Sequence, residues 1–432
     1  MAMSCAAPDV HPEGGDYAPG MTGNACFAGM VLIAAFSAVT NNRASAFIVL
    51  MERPTRSLGG RGQRTPPRYL PAALHGGGGR SLAPDSIGIG LFVPLSGSAG
   101  IWGPTSLACA ELAVEEINRR GGLRGRAVRL VVADAGDDPV KATMVAEELV
   151  ATGMIDAIVG MHISAVRAAL AETLSGRIPF IYTPLYEGGE QHPGVYCLGE
   201  TPDEQLRPAL AWLTDKRRVQ RWALIGNDYV WPRRSHALAR DYIAGLGGSV
   251  LADRYLPLGT DDFDPLLDRL AQSDADAVLL SLVGQDSVAF NRAFAARGLD
   301  RRMLRLSMAT DENMLLAIGP DNTEGLYVAA GYFANLATDS NLSFIERYRA
   351  RFGVRAPVLS ALGQSIYEGF GLLEALDRDD FAPSRPLGYS TARGGSFMDN
   401  RRKLTPIHLA QADGIEFRLL HDLAHSGMSQ AN

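Results

Sequence analysis

Residues 86–97, SIGIGLFVPLSG, decide the fold. An apolar run closed by Pro, Ser and Gly is the pattern of a strand buried on both faces of a parallel sheet and ending in a loop. A helical apolar face follows, with Leu107, Ala110, Leu112, Ala113, Val114 and Ile117, and stops at Gly121-Gly122, where left-handed backbone is needed. AVRLVVAD (127–134) reads as a second strand. Asp137-Asp138-Pro139 opens a second helix that ends at Gly153, and Asp156-Ala-Ile-Val-Gly160 is the third strand.

The same order returns downstream. RWALIGND (221–228) is a strand, a helix then ends at Gly247-Gly248, and SVLADRYLPL (249–258) is the next strand. Thr260-Asp261-Asp262-Phe263 begins a helix, and Asp276-Ala-Val-Leu-Leu-Ser281 is the third strand. This is a duplicated βαβαβ unit. Right-handed crossovers make each copy a parallel sheet covered on both faces. The fold class is therefore α/β: two doubly wound, Rossmann-like lobes with a hinge, and a ligand cleft at the carboxyl ends of their strands.

Residues 1–85 differ from the rest and read as a disordered, targeting-like extension. The apolar run Phe27–Val39 has the length of a signal-peptide core and is too short to span a membrane. Ala44-Ser45-Ala46 has the look of a cleavage site, yet Asp9, Glu13 and Asp16 stand where a basic region belongs. Arg53, Arg56, Arg61, Arg64, Arg68 and Arg80, with Gly76–Gly79, mark a flexible linker. An export signal places the protein outside the cytoplasm; a start near Met51 places it inside.

The 432 residues are 47% hydrophobic and 20% charged, an ordinary globular balance. A formal charge of −6 lacks the footprint of a general nucleic-acid binder. Cys5, Cys26, Cys109 and Cys197 form no C-x-x-C and no disulfide framework, and Cys109 and Cys197 read as small core hydrophobes. Gly88-Ile-Gly90 lies inside a strand and lacks the third glycine of a dinucleotide fingerprint. His421 and His425 stand four apart without a third ligand nearby, and Asp261, Asp262 and Asp264 suit helix capping better than a metal loop. No nucleophile is paired with a base. No enzyme, metal or cofactor is expected.

The informative residues are then those that follow the strands. They are Ser96-Gly97-Ser98, Met161-His162-Ile163-Ser164, Tyr182-Thr183-Pro184-Leu185-Tyr186-Glu187, Asn227-Asp228-Tyr229-Val230-Trp231, Gly284-Gln285-Asp286 and Thr310-Asp311-Glu312. Hydroxyls and aromatic walls with few full charges suit a small neutral polar ligand. Glu187, Asp311 and Glu312 offer an anionic partner to an ammonium group instead.

With PLSG at 94–97, INRRGG at 117–122 and the two-lobe order, residues 86–432 resemble the type I periplasmic binding proteins, close to the branched-chain amino-acid receptors. TPLYEGGE (183–190), NDYVWPR (227–233) and Gly160-Met-His-Ile-Ser164 resemble the amide and urea branch. That branch holds ABC-transporter solute-binding proteins and a cytoplasmic amide sensor that restrains an amidase operon. The resemblance implies ligand contacts from Ser164, Thr183 with Tyr182 and Tyr186, then Tyr229 and Trp231, with Thr310 a looser match. Ser96 and Glu312 complete the candidate set from the loop reading. Two departures stand out: Trp231 occupies the place of a Tyr in the amide sensor, and the stretch before Tyr186 is one residue longer.

The expectation is a non-enzymatic solute-binding component of an ABC transporter that captures a small amide, urea or related polar solute by lobe closure. The alternatives are a cytoplasmic amide-sensing regulator and a branched-chain amino-acid receptor. The first lobe is expected to comprise 86–202 plus 327–378, and the second 203–326 plus 379–432. The partners implied are the small-molecule ligand and an ABC permease if the chain is exported, or a regulatory protein if it is cytoplasmic; no nucleic acid is expected.

Overall fold

The computed structural model describes residues 86–379, 381, 387–399, 402–403 and 406–422, with short strands between Cys26 and Glu52. The Arg-rich linker expected after Glu52, and His425, lie outside the described residues.

In the first lobe, β1 (Ser86–Val93), β2 (Ala127–Asp134), β3 (Ala157–Gly160), β4 (Phe180–Tyr182) and β5 (Val195–Cys197) alternate with α1 (Gly103–Arg119), α2 (Pro139–Ala151) and α3 (Ser164–Leu174). All pair in parallel, in the order β2-β1-β3-β4-β5. Beyond β2, Ile48–Leu50 of the N-terminal extension pairs in parallel with Val131–Ala133.

The second lobe repeats the pattern. After α4 (Pro202–Arg217) come β6 (Arg221–Asn227), α5 (Val230–Gly245), β7 (Ser249–Leu256), α6 (Asp264–Ala271), β8 (Ala277–Ser281), α7 (Gly284–Ala296), β9 (Leu304–Ser307), α8 (Glu312–Ile318) and β10 (Leu326–Ala330). The sheet order β7-β6-β8-β9-β10 matches the first lobe strand for strand. Helix α6 starts at Asp264, later than the sequence reads, with Asp262 accepting from the Asp264 amide at 2.9 Å. The bond holds a turn ahead of the helix, where Thr260–Phe263 are not helical.

The chain then returns. Helices α9 (Asp339–Phe352) and α10 (Ala361–Arg378) pack on α1, and the hairpin β11 (Leu387–Thr391) and β12 (Gly394–Asp399), extended by β13 (Arg402–Lys403), packs on α10. Gly363 of α10 is required by this contact: a Cβ there would sit 2.3 Å from Thr105 Oγ1 of α1. Arg120 and Glu374 clasp the same interface through a paired bond of 2.9 and 3.1 Å. Finally β14 (His408–Asp413) and β15 (Glu416–Asp422) add antiparallel to β10 in the second sheet. Strand β10 therefore belongs to the second sheet and β11–β12 lie against the first lobe, so the chain recrosses after Ala330 and again after Lys403.

The core sits between each sheet and its helices, with the runs of β1 and β8 wholly buried at their centres. Cys109 and Cys197 are free and buried. In a 2-1-3-4-5 sheet the loops after strands 1 and 3 diverge, opening a crevice at the switch point. Here the two switch points face one another.

Candidate functional site

Each switch point supplies half of an aromatic chamber. From the first lobe come Ala99 and Trp102, in the 3-10 turn Ser98–Trp102 after β1, and Met161–Ser164 after β3. From the second come Tyr229 and Trp231 after β6, and Val283 after β8. Tyr182 forms the floor, and its hydroxyl donates to the His162 carbonyl at 2.6 Å. Burial pushes the Tyr182 phenol up, with the Ser164 hydroxyl as a further hydrogen-bonding neighbour. Burial also pushes the His162 imidazole down to about 3, so it is neutral at physiological pH. Trp231 is 1% exposed and its indole nitrogen has no protein partner. Tyr229 lies 6.3 Å from it, ring centre to ring centre.

A second, polar chamber adjoins the first across Pro184, Leu185, Ala309 and Leu362. Thr183, Glu200, Thr310, Asp311, Tyr332, Ser365 and Arg393 supply its polar groups. The Ser365 hydroxyl donates to Thr183 Oγ1 at 3.0 Å, and that of Thr310 to Ser307 Oγ at 2.8 Å. Arg393 pairs with Glu200 at 2.7 Å. Asp311 caps α8 by accepting from the Met314 amide, while its Oδ2 has no hydrogen-bond partner. Burial pushes its carboxyl up to about 6, against the pull of Ser360 and nearby amides.

Behind the chambers, Arg167 of α3 is buried between Glu187, at 2.5 Å, and Glu190, and lies 5.8 Å from the ring centres of both Tyr182 and Tyr186. This layer holds the 183–190 loop against the strand ends. At the rim, Ser98 of the first lobe donates to Asp286 of the second. The cleft is closed, and its chemistry suits capture: neutral hydroxyls, indoles and phenols on the walls, with two buried charge networks, around Arg167 and around Arg393, beside them. Among the described residues no group of His, Cys, Asp and Glu is placed to hold a metal.

The sequence pattern of the periplasmic binding proteins matches residues 86–385. The chain belongs to that family. Its fold is that of the ABC-transporter solute-binding proteins, a family of binders and not of enzymes. An amino acid binding protein of Pseudomonas aeruginosa is 24% identical over 271 residues, 61% of this chain and 71% of its own. The Leu/Ile/Val-binding protein BraC3 of Rhizobium johnstonii is 26% identical over 271 residues, 61% of this chain and 70% of its own. Among solved structures, a solute binding protein of an R. palustris ABC transporter, in complex with 4-hydroxybenzoate, superposes with a TM-score of 0.70 at 20% identity, covering 80% of this chain and all of that one. LivJ of Streptococcus pneumoniae, in complex with isoleucine, gives 0.66 at 17% identity, covering 78% and 99%. The family pattern carries the family, and the solved structures carry the fold. The amide and urea branch rests on the loop motifs alone.

The structure gathers Ser164, Tyr182, Tyr229 and Trp231 in the aromatic chamber, and Thr183 and Thr310 in the polar one. Three candidates line neither chamber. Ser96 is exposed and donates to Asp134 at 2.6 Å, its neighbour Ser98 taking the interlobe position. Tyr186 stacks on Arg167. Glu312 accepts from the Ala334 amide at 2.6 Å. The loop reading passed over Glu200, Ser365 and Arg393. Glu200 had a signal, since it stands directly before the Thr201-Pro202 helix start. Arg393 had none, because Thr-Ala-Arg-Gly-Gly (391–395) reads as a surface turn.

Proposed function

We propose that this chain is the solute-binding component of an ABC importer, acting outside the cytoplasm, and that it captures a small amide, urea or related neutral polar solute by lobe closure. The observation that carries this reading is the aromatic chamber, where Ser164 and Tyr182 of one lobe face Tyr229 and Trp231 of the other. Such walls match a ligand that needs a few oriented hydrogen bonds and a flat apolar contact. Closure around it presents one compact form to a permease.

A second reading, an amino acid, is favoured by the free Oδ2 of Asp311, an acceptor suited to an ammonium group. It agrees with the names of the relatives.

Intrinsic fluorescence tests the site. Trp102 and Trp231 approach the chamber from opposite lobes, so a captured solute changes their emission in a saturable way. Amides, urea and amino acids are added in turn to the wild type and to the Trp102→Phe, Trp231→Phe double variant. A signal that survives in the double variant means that neither indole is the reporter.

A further inference from the structure

Arg393 joins three segments that are far apart in sequence. It sits in the turn between β11 and β12, and its side chain is 4% exposed. Nη1 donates to Glu200 Oε1 at 2.7 Å, while Nε and Nη2 donate to Glu368 Oε2 at 2.9 and 2.5 Å. Glu200 lies just before the first crossing between lobes. Glu368 is wholly buried in α10, where Tyr389 also donates to it at 3.4 Å.

One guanidinium thus faces two carboxylates. Its three nitrogens are all engaged, and by formal charge the group is one negative charge in excess. Glu200 and Arg393 line the polar chamber directly. From the opposite lobe Asp311 adds a third carboxylate, which burial raises only to about 6, leaving it mostly ionised at neutral pH. Inside a wall of low polarisability such an excess acts strongly on any charge that enters.

We propose that the Glu200–Arg393–Glu368 group determines specificity: it bars carboxylates from the polar chamber and admits neutral or cationic polar groups. The proposal rests on the reading of this cleft as the solute site. A carboxylate entering here sheds water and meets like charge, and Arg393, the one cation among the described residues that line the chamber, already faces two carboxylates. An amide of the same shape meets neither cost.

Matched pairs test this: butyramide against butyrate, and benzamide against benzoate, titrated by calorimetry at pH 7.5 into the full chain and into Glu200→Gln. The wild type is expected to bind each amide at least tenfold more tightly than its acid, and Glu200→Gln to narrow that ratio by about tenfold. Should Glu200→Gln melt too low to titrate, Glu368→Gln makes the same change of charge from the other side of Arg393 and carries the same expectation. A wild type that takes the acids as tightly as the amides, or a ratio unmoved by the variant, overturns the proposal. If no member of either pair binds the wild type, the assignment of a small amide-like solute falls, and this proposal falls with it.

Discussion

Ser98, after the first strand of one lobe, donates its hydroxyl hydrogen to Asp286 in the first turn of α7 in the other. Asp286 is 2% exposed and also accepts from Asn227 Nδ2 at 2.6 Å and from the Gly259 amide at 3.0 Å. Both of those donors belong to the second lobe, so the acceptor is fixed before closure and Ser98 arrives at a prepared partner. The same 3-10 turn carries Ala99 and Trp102 into the aromatic chamber, which ties closure of the rim to the ligand wall.

In Ser98→Ala each lobe keeps its own packing and only the closed form loses a bond. A hydrogen bond to a charged group contributes about 1.5–3 kcal/mol. Ligand should therefore leave about tenfold faster or more, with association nearly unchanged. Stopped-flow fluorescence measures both rates; an unchanged dissociation rate removes Ser98 from the closing contact.

Gly284 meets Ser98 at the same rim. Its φ is +52°, and a Cβ there would lie 1.9 Å from the Ser98 carbonyl oxygen. Gly284→Ala should hold the lobes apart. Small-angle scattering is expected to show the wild type contracting with ligand and the variant failing to contract, and equal contraction would refute this contact.

Ser164→Ala removes a hydroxyl from the aromatic chamber and leaves Tyr182 bonded to the His162 carbonyl. A loss of about 0.5–1.5 kcal/mol in affinity is expected, larger if a ligand group is left buried without a partner. Calorimetry reads it directly, and unchanged affinity for the best ligand excludes Ser164 from the site.

Glu312 and Asp311 make the fold sensitive to alkali. Burial, with the charge of Asp311 beside it, pushes the Glu312 carboxyl up to about 8, and Glu312 Oε2 has no partner. A folded value above the unfolded one means that stability is fully present below about pH 4.5 and is lost as pH rises through about 8. The melting temperature should fall between pH 5 and pH 9, and Glu312→Gln should flatten that slope. An equal slope in the variant would assign the effect to other groups.

The sequence made the duplicated core legible because buried parallel strands are continuous apolar runs, and because Gly121-Gly122 and Gly247-Gly248 end equivalent helices. Six of nine site residues reach the chambers since strand ends in such sheets converge by topology. Ser96 misses by two residues, because the turn that begins at Ser98 points its own hydroxyl across the cleft. Arg393 was beyond reach for a different reason: its partners Glu200 and Glu368 lie 193 and 25 residues away. No local periodicity records a contact assembled when the chain returns to the first lobe.

The most direct test of the account is a calorimetric titration of the full chain with acetamide, butyramide, urea, leucine and 4-hydroxybenzoate. The best small ligands reach about −1.5 kcal/mol per heavy atom, so a four-atom amide can reach roughly −6 kcal/mol, or tens of micromolar. The account predicts saturable binding of one solute per chain for an amide or urea, no tighter than that level for the four-atom ligands, with butyramide above acetamide as the apolar wall fills. Sub-micromolar binding of leucine or 4-hydroxybenzoate, with no saturable binding of any amide or of urea, would contradict it.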